Sequence, residues 1–105
     1  PGVAAPLAQA LHQRGVHWLD CPVTGGLAGA REGTLILYAG GEDGVLQGSQ
    51  ALLAQLGRRI VACGPAGSGY RTKLINQTLM AGALLGLAEG AALARAGLSI
   101  AARWL

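Results

Sequence analysis

Lys73 is the residue of this 105-residue sequence whose type and setting point most directly to chemistry. It is the only lysine in the chain, and Asn76 and Gln77 follow it by three and four residues in a long apolar stretch. In a helix, that spacing places the ammonium and the two amides on one face. Such a set can hold a polarised oxygen and exchange a proton with it, since partial burial brings the pKa of an amine towards neutrality. The alternative is an ordinary solvent-exposed lysine beside two amides.

A run of small residues, which begins at Thr24, Gly25 and Gly26 and ends at Gly33, is the second stretch able to bind a ligand. The adjacent glycines leave backbone N–H groups open to close approach, and such groups can converge on a carboxylate. Thr24 adds a hydroxyl donor beside them. The alternative interpretation is a tight exit from a strand, because glycine is common in turns.

The glycine-rich segments do not match the two patterns that bind nucleotide phosphates. A dinucleotide fingerprint needs G-x-G-x-x-G, and a P-loop needs G-x-x-x-x-G-K-[ST]. Thr24 stands at a glycine position of the first pattern, and Tyr70 stands at the lysine position of the second. No residue of this sequence is therefore assigned to cofactor phosphates.

Metal chemistry is not predicted either. The two cysteines and two histidines, at positions 21, 63, 12 and 17, lack the ligand spacing of a zinc site. We expect both cysteines to be reduced thiols that pack as small hydrophobic residues. Reduced thiols and the lack of a signal-peptide pattern favour a cytoplasmic location.

The composition argues against several classes of protein. Hydrophobic residues make up 51% of the chain and charged residues 12%, so intrinsic disorder is not expected. The net charge of +3 is small and the basic residues are dispersed, which argues against nucleic-acid binding. The stretch 79–98 is apolar, but Glu89 and Arg95 interrupt it, and each is costly at a bilayer centre. We therefore expect a buried helix of a soluble protein there rather than a membrane span.

Periodicity and turn residues divide the sequence into a mixed first part and a helical second part. The predicted elements are a helix over 1–14, a strand over 16–23, the small-residue loop 24–33, a strand over 34–39, a helix over 47–56, a strand over 59–63, a long helix over 70–96 and a further helix over 98–105. The strands cease near 64–69, so an α/β sheet is expected to end there and a helical domain to begin.

Three segments then combine into one pattern. They are DCPVTGG from Asp20 with the glycines at 29 and 33, the GGE turn at 40–42, and the stretch 64–77 with glycines at 64, 67 and 69 ahead of Lys73, Asn76 and Gln77. In this order and spacing they resemble the β-hydroxyacid dehydrogenases, which include 3-hydroxyisobutyrate dehydrogenase and tartronate semialdehyde reductase (2-hydroxy-3-oxopropionate reductase). The 6-phosphogluconate dehydrogenases have a similar layout but place histidine and then asparagine after the lysine, so Asn76-Gln77 argues against them.

The resemblance implies a role for each matched residue. Thr24, Gly25 and Gly26 would hold the substrate carboxylate, and Lys73 would be the catalytic acid and base. Asn76 and Gln77 would bind substrate. The family usually has serine where this sequence has Thr24, and the hydroxyl is kept.

The resemblance also implies a fold and a place within a longer protein. The fold class is α/β: the C-terminal part of a Rossmann-like NAD(P)-binding domain over 1–67, then the start of an all-α domain over 68–105 with a long interdomain helix. The dinucleotide fingerprint is expected upstream of Pro1. The chain is accordingly expected to be a central fragment that is inactive alone.

The predicted function is that of an NAD(P)-dependent oxidoreductase that interconverts a short 3-hydroxy acid and its semialdehyde. The sequence leaves open which hydroxy acid this is and whether NAD or NADP is used. The expected partners are a small-molecule substrate and, in the full-length protein, further copies of the same chain. The alternatives are a non-catalytic remnant or a helix-packing interaction module, and a membrane-associated helix pair that Glu89 disfavours.

Overall fold

A computed structural model describes residues 2–97, which form an α/β sheet followed by a long helix, as predicted. The elements are α1 (Ala4–His12), β1 (Leu19–Asp20), β2 (Val23–Thr24), α2 (Gly26–Glu32), β3 (Leu35–Gly41), α3 (Asp43–Leu53), β4 (Gly57–Gly64) and α4 (Ser68–Arg95). The helix predicted over 98–105 lies outside the described residues.

Strand β3 organises the sheet, because the other three strands all pair with it. Strand β4 runs parallel to β3 along its length. Strands β1 and β2 are both antiparallel to β3, with Leu19 opposite Gly41 and Thr24 opposite Ile36. Because β4 occupies one edge of β3, β1 and β2 must follow each other along the other edge.

Pro22 explains why one predicted strand is found as two. The prediction had a single strand over 16–23, whereas β1 ends at Asp20 and β2 begins at Val23. Proline has no N–H to give to a ladder, so pairing is interrupted around it. The carbonyl of Pro22 still accepts a hydrogen bond of 2.9 Å from the backbone N–H of Tyr38, which keeps both short strands on the same edge of β3.

The segment predicted as a loop over 24–33 contains helix α2, so that prediction was wrong. The helix has seven residues, too few to show an apolar period, and it ends at Gly33 in the left-handed conformation. Tertiary packing supports it, since Gly29 is buried and a methyl group there would lie 3.2 Å from the Leu35 side chain.

The core lies between β3 and α3. Leu37 and Ala39 of β3 pack with Leu46 and Leu53 of α3, and all four side chains are buried. The two leucines of α3 are seven residues apart, so they project from the same face two turns apart. This small core fixes β3, and β3 in turn fixes the strands that carry the candidate functional residues.

The chain divides into two compact units, Pro1–Ile75 and Asn76–Leu105. The first contains the sheet, its helices and the first turns of α4. The second contains the remainder of α4. The division falls within α4, further along the chain than the predicted domain boundary at 67/68.

Helix α4 is long and apolar enough to cross a membrane by length and composition, with a mean hydropathy of 1.3 in its most apolar window. The sequence predicts that this stretch is buried in protein, but within residues 2–97 the only buried residue of α4 is Gly69. Its exposed side chains include Leu79, Leu84 and Leu87, each about 70% exposed. Most of the apolar side chains of α4 are therefore exposed within the described residues.

Candidate functional site

Lys73 lies in the second turn of α4, which begins at Ser68. Its side chain is half-buried, while the side chain of Arg71, two residues earlier, is exposed. The hydroxyl of Thr72 donates a 2.9 Å hydrogen bond to the carbonyl of Ser68, one turn back on the same helix. The lysine therefore sits on a regular stretch of helix close to its N-terminal end.

Asp20 fixes that end of the helix to the sheet. Its side chain is fully buried, and its two carboxylate oxygens accept hydrogen bonds from the backbone N–H groups of Gly67, at 2.6 Å, and Tyr70, at 3.0 Å. The first N–H groups of a helix have no partner within the helix, and a carboxylate is well suited to them because the helix dipole is positive there. A strand residue thus caps a helix about 50 positions later in the sequence.

Two glycines allow the start of α4 to lie close to β1 and β3, and the Asp20 cap depends on this close contact. A methyl group on Gly40 would lie 2.7 Å from both Asp20 Oδ1 and the backbone nitrogen of Gly69. A methyl group on Gly69 would collide with the carbonyl oxygen of Tyr38 and come within 2.8 Å of the Asp20 carboxylate. The start of α4 therefore rests directly on the backbone of β1 and β3, and the position of Lys73, one turn further on, follows from the sheet.

The Thr24, Gly25 and Gly26 turn lies at the end of β2. Thr24 is half-buried and pairs with Ile36, whereas both glycines are exposed. Their φ angles are 129° and 62°, a region that side chains disfavour, and nothing lies within 4 Å of the position of a methyl group on Gly26. The turn thus exposes backbone that a small anion can approach at Gly26.

The structure brings part of the predicted set into one compact unit. Thr24, Gly25, Gly26 and Lys73 all belong to the unit Pro1–Ile75, and Asp20 connects the strand pair β1–β2 with the start of α4. Asn76 and Gln77 belong to the second unit, although they lie on the same helix. Their amides are close to each other, with Asn76 Nδ2 at 3.5 Å from Gln77 Oε1.

Sequence reasoning gave Asp20 no decided role. A signal was present: the start of α4 has no acidic residue of its own in its first turn, so its N–H groups need an acceptor from elsewhere. The sequence alone could not choose among the acidic residues, because the two partners are far apart along the chain.

The cysteines are free thiols, as expected. Burial raises the pKa of the Cys21 thiol above its usual value, and the nearby Asp20 and Cys63 raise it further. A raised pKa keeps the thiol protonated and poorly nucleophilic at neutral pH. Cys21 is partly buried and packs against the core.

Two glycine turns that lead into helices, those before α4 and α2, are poorly suited to nucleotide phosphates. A pyrophosphate binds where a strand leads through glycines into a helix whose N–H groups are free. The turn between β4 and α4 has this layout, but the Asp20 carboxylate already occupies the N-terminus of α4. Helix α2 has only seven residues. Neither of these two turns therefore forms a phosphate-binding loop.

Comparison with known proteins gives the family. Residues 1–64 match the family described as the NAD binding domain of 6-phosphogluconate dehydrogenase. The match ends before Lys73 and so does not bear on the lysine segment. Among curated relatives, the NAD-dependent L-serine dehydrogenase of Pseudomonas aeruginosa is 40% identical over 93 residues, which is 89% of this chain and 31% of that protein. The mitochondrial 3-hydroxyisobutyrate dehydrogenase of Homo sapiens is 36% identical over 85% of this chain and 26% of that protein.

Solved structures agree with this assignment. The structure of Mycobacterium tuberculosis 3-hydroxyisobutyrate dehydrogenase with L-serine matches 92% of this chain and 34% of its own, with a TM-score of 0.83 and 31% identity. Psf3 in complex with NADP+ and 2-OPP matches 88% of this chain and 34% of its own, with a TM-score of 0.75 and 27% identity. The chain thus spans about a third of the length of these proteins.

These matches confirm the Rossmann-like α/β class with its long helix and the resemblance to the β-hydroxyacid dehydrogenases. They also place the cofactor in the NAD or NADP class. The chain therefore belongs to the family of the NAD-binding domain of 6-phosphogluconate dehydrogenase, in which its relatives include 3-hydroxyisobutyrate dehydrogenases.

Proposed function

We propose that the protein containing this chain is an NAD(P)-dependent oxidoreductase that interconverts a short 3-hydroxy acid and its semialdehyde. The observation that carries the proposal is the half-buried Lys73 on a helix whose start is fixed by Asp20 to the strand pair leading into the Thr24 turn. The named relatives act on, or are solved with, small hydroxy acids of this kind.

In this proposal, the open turn of Thr24, Gly25 and Gly26 holds the substrate carboxylate through its hydroxyl and backbone N–H groups. Convergent N–H donors suit a carboxylate, and the exposed glycines let it come close.

Lys73 acts on the other end of the substrate. Its amine donates a proton to the developing alkoxide during carbonyl reduction and accepts the hydroxyl proton in the reverse direction. Asn76 and Gln77 bind the substrate oxygens through their amides. The nicotinamide, when bound, supplies or accepts the hydride.

The test is an assay of the complete protein encoded by the reading frame that contains this chain. With NAD or NADP, we expect saturable oxidation of at least one short 3-hydroxy acid, such as 3-hydroxyisobutyrate or L-serine. The 105-residue chain alone is expected to give no turnover, because its sequence contains no G-x-G-x-x-G dinucleotide fingerprint. Inactivity of the complete protein on every such acid would contradict the proposal, whereas turnover by the 105-residue chain would contradict only its expected inactivity alone.

Thr24 provides a matched pair of variants in the complete protein. We expect Thr24→Ser to keep the KM for the acid within a few-fold, since serine retains the hydroxyl. Thr24→Val has nearly the same shape but no hydroxyl. We expect it to raise KM by about 10–100-fold, as a hydrogen bond to a charged group contributes about 1.5–3 kcal/mol.

Steady-state kinetics and the urea midpoint of unfolding, measured together, separate binding from stability. An unchanged KM in Thr24→Val would show that the Thr24 hydroxyl does not bind the substrate carboxylate. A shifted midpoint accompanied by an unchanged KM would give Thr24 a structural role instead.

We further propose that the exposed apolar side of α4 is covered by protein and not by lipid, and that the complete protein is a cytoplasmic homo-oligomer. Glu89 and Arg95 support a protein partner, because each is costly at a bilayer centre. Glycines at 82, 86 and 90 leave room for another helix to approach closely. Extraction of the complete protein without detergent, as a defined oligomer, is the expected result.

A further inference from the structure

His12, His17 and Glu42 form a cluster that none of the catalytic proposals uses. One potential ligand atom from each of the three side chains lies within 4.8 Å of the other two. His12 Nδ1 is 3.5 Å from Glu42 Oε1, and the two imidazole rings are 6.4 Å apart between centroids. The spacing of cysteines and histidines along the sequence does not indicate this cluster, because its third member is Glu42.

The backbone holds the two histidines in place. Helix α1 ends in a Schellman motif, in which Gly15 N–H donates to the His12 carbonyl at 2.9 Å and Val16 N–H donates to the Leu11 carbonyl at 3.0 Å. Gly15 has the left-handed conformation that the motif needs, with a φ of 72°. His17 follows this turn directly, so it comes back beside His12.

Glu42 reaches the same place from another element. It lies between β3 and α3, where Gly41 pairs with Leu19 of β1. It occupies the cap position of α3, but its side chain makes no capping hydrogen bond. The carboxylate is therefore available to the two imidazoles.

The cluster lies away from the Thr24 turn of the candidate substrate site, although Glu42 is two residues from Gly40, on which the start of α4 rests. Gly41, next to Glu42, is at one end of β3, and Ile36, the partner of Thr24, is near the other. Five residues of strand correspond to about 17 Å. The cluster also lies entirely in the unit Pro1–Ile75, so it does not depend on the second unit.

We propose that His12, His17 and Glu42 bind one divalent transition-metal ion of the zinc class, with water completing the coordination. Zinc prefers tetrahedral sites with nitrogen and oxygen ligands at about 2.0–2.2 Å, which places neighbouring ligands about 3.3–3.6 Å apart. The His12–Glu42 separation of 3.5 Å already has this value. Because all three side chains are exposed, rotation about their own bonds brings the third ligand in.

The surroundings leave room for the ion and its water. A cavity of about 130 Å³ is lined by all three ligands and by Trp18. Within residues 2–97, the buried Trp18 Nε1 has no hydrogen-bond partner.

The bound ion would join the end of α1, the segment before β1 and the start of α3. A ligand that binds only the folded state stabilises it, so zinc should raise the melting temperature of the chain. If His12 and Glu42 formed only an exposed ion pair, zinc would not raise the melting temperature, because an ion pair needs no metal.

The experiment titrates Zn²⁺ and Co²⁺ into the chain of residues 1–105, without substrate or cofactor, so its outcome is independent of the proposed enzymatic function. We expect one equivalent of metal per chain and a Co²⁺ absorption spectrum without thiolate charge-transfer bands. In proton NMR, one equivalent of Co²⁺ should shift or broaden the ring signals of both histidines together. The chain has only two histidines, so these signals identify the site without any substitution.

Variants provide the second line of evidence. We expect His17→Ala and Glu42→Gln to weaken Zn²⁺ binding at least tenfold, since loss of even an outer-shell partner costs about 10–100-fold. Gln13→Ala, on the same turn, and Glu32→Gln, on α2, are the matched controls and should bind like the wild type. Absence of saturable binding, an unaffected His17→Ala variant, or thiolate bands that assign the metal to Cys21 or Cys63 would each overturn the proposal.

Discussion

Replacing Lys73 by methionine in the complete protein should lower kcat about 10²–10⁴-fold, the range that a positioned general acid or base contributes. Methionine keeps the length and the apolar stem of the side chain but cannot exchange a proton. Because Lys73 is half-buried, methionine suits its surroundings, and the urea midpoint of unfolding should change little. Steady-state kinetics over a range of pH is the measurement.

Two further variants separate the proton-transfer role from the charge. Lys73→Arg keeps the positive charge, but arginine does not deprotonate in proteins, so kcat should stay low. Arg71→Met removes an exposed positive charge two residues away on the same helix and should leave kcat nearly unchanged. If Lys73→Arg retained full activity, the lysine would serve only to hold charge, and the acid–base role would be wrong.

Asp20→Ala should lower the free energy of unfolding by about 2–4 kcal/mol, because one buried and one part-buried backbone N–H group lose their acceptor, and an unsatisfied buried group costs about 1–3 kcal/mol. The hydrogen bonds of 2.6 and 3.0 Å to Gly67 and Tyr70 are the ones removed. Asp20→Asn keeps one acceptor oxygen and should show an intermediate loss. Urea unfolding followed by circular dichroism measures both.

Asp43 supplies the matched control for Asp20. It also lies in the first turn of a helix, α3, but its side chain is exposed. An exposed carboxylate at such a position contributes about 0.3–1 kcal/mol, so Asp43→Ala should be mild. Equal losses from Asp20→Ala and Asp43→Ala would show that the buried cap does not hold the start of α4.

The elements that could be predicted from sequence are those whose own residues carry the pattern. The apolar run of β3 and the long Ala- and Leu-rich α4 were recognised because period and composition are local properties. Helix α2 was missed because seven residues with two glycines show no period, and its packing against Leu35 is a tertiary contact.

Sequence patterns predicted some residues of the candidate sites, but not the contacts that bring residues from different elements together. Thr24 and Lys73 were named from spacing and family resemblance, and their roles remain predictions. The Asp20 cap joins residues 47 and 50 positions apart, and no local pattern contains such a pair. The His12, His17 and Glu42 cluster draws on three elements, so its third member becomes visible only once β3 brings Glu42 beside β1.

The interrupted strand around Pro22 bears on how substrate preference can change in this family. Asp20, which caps helix α4, and Thr24, at the turn proposed to bind the acid, are four residues apart on one edge of β3. Since side chains alternate along a strand, inserting or deleting a single residue between them would turn one of the two towards the opposite side of the sheet. New specificities should therefore arise by exchange of side chains around a five-residue segment of constant length.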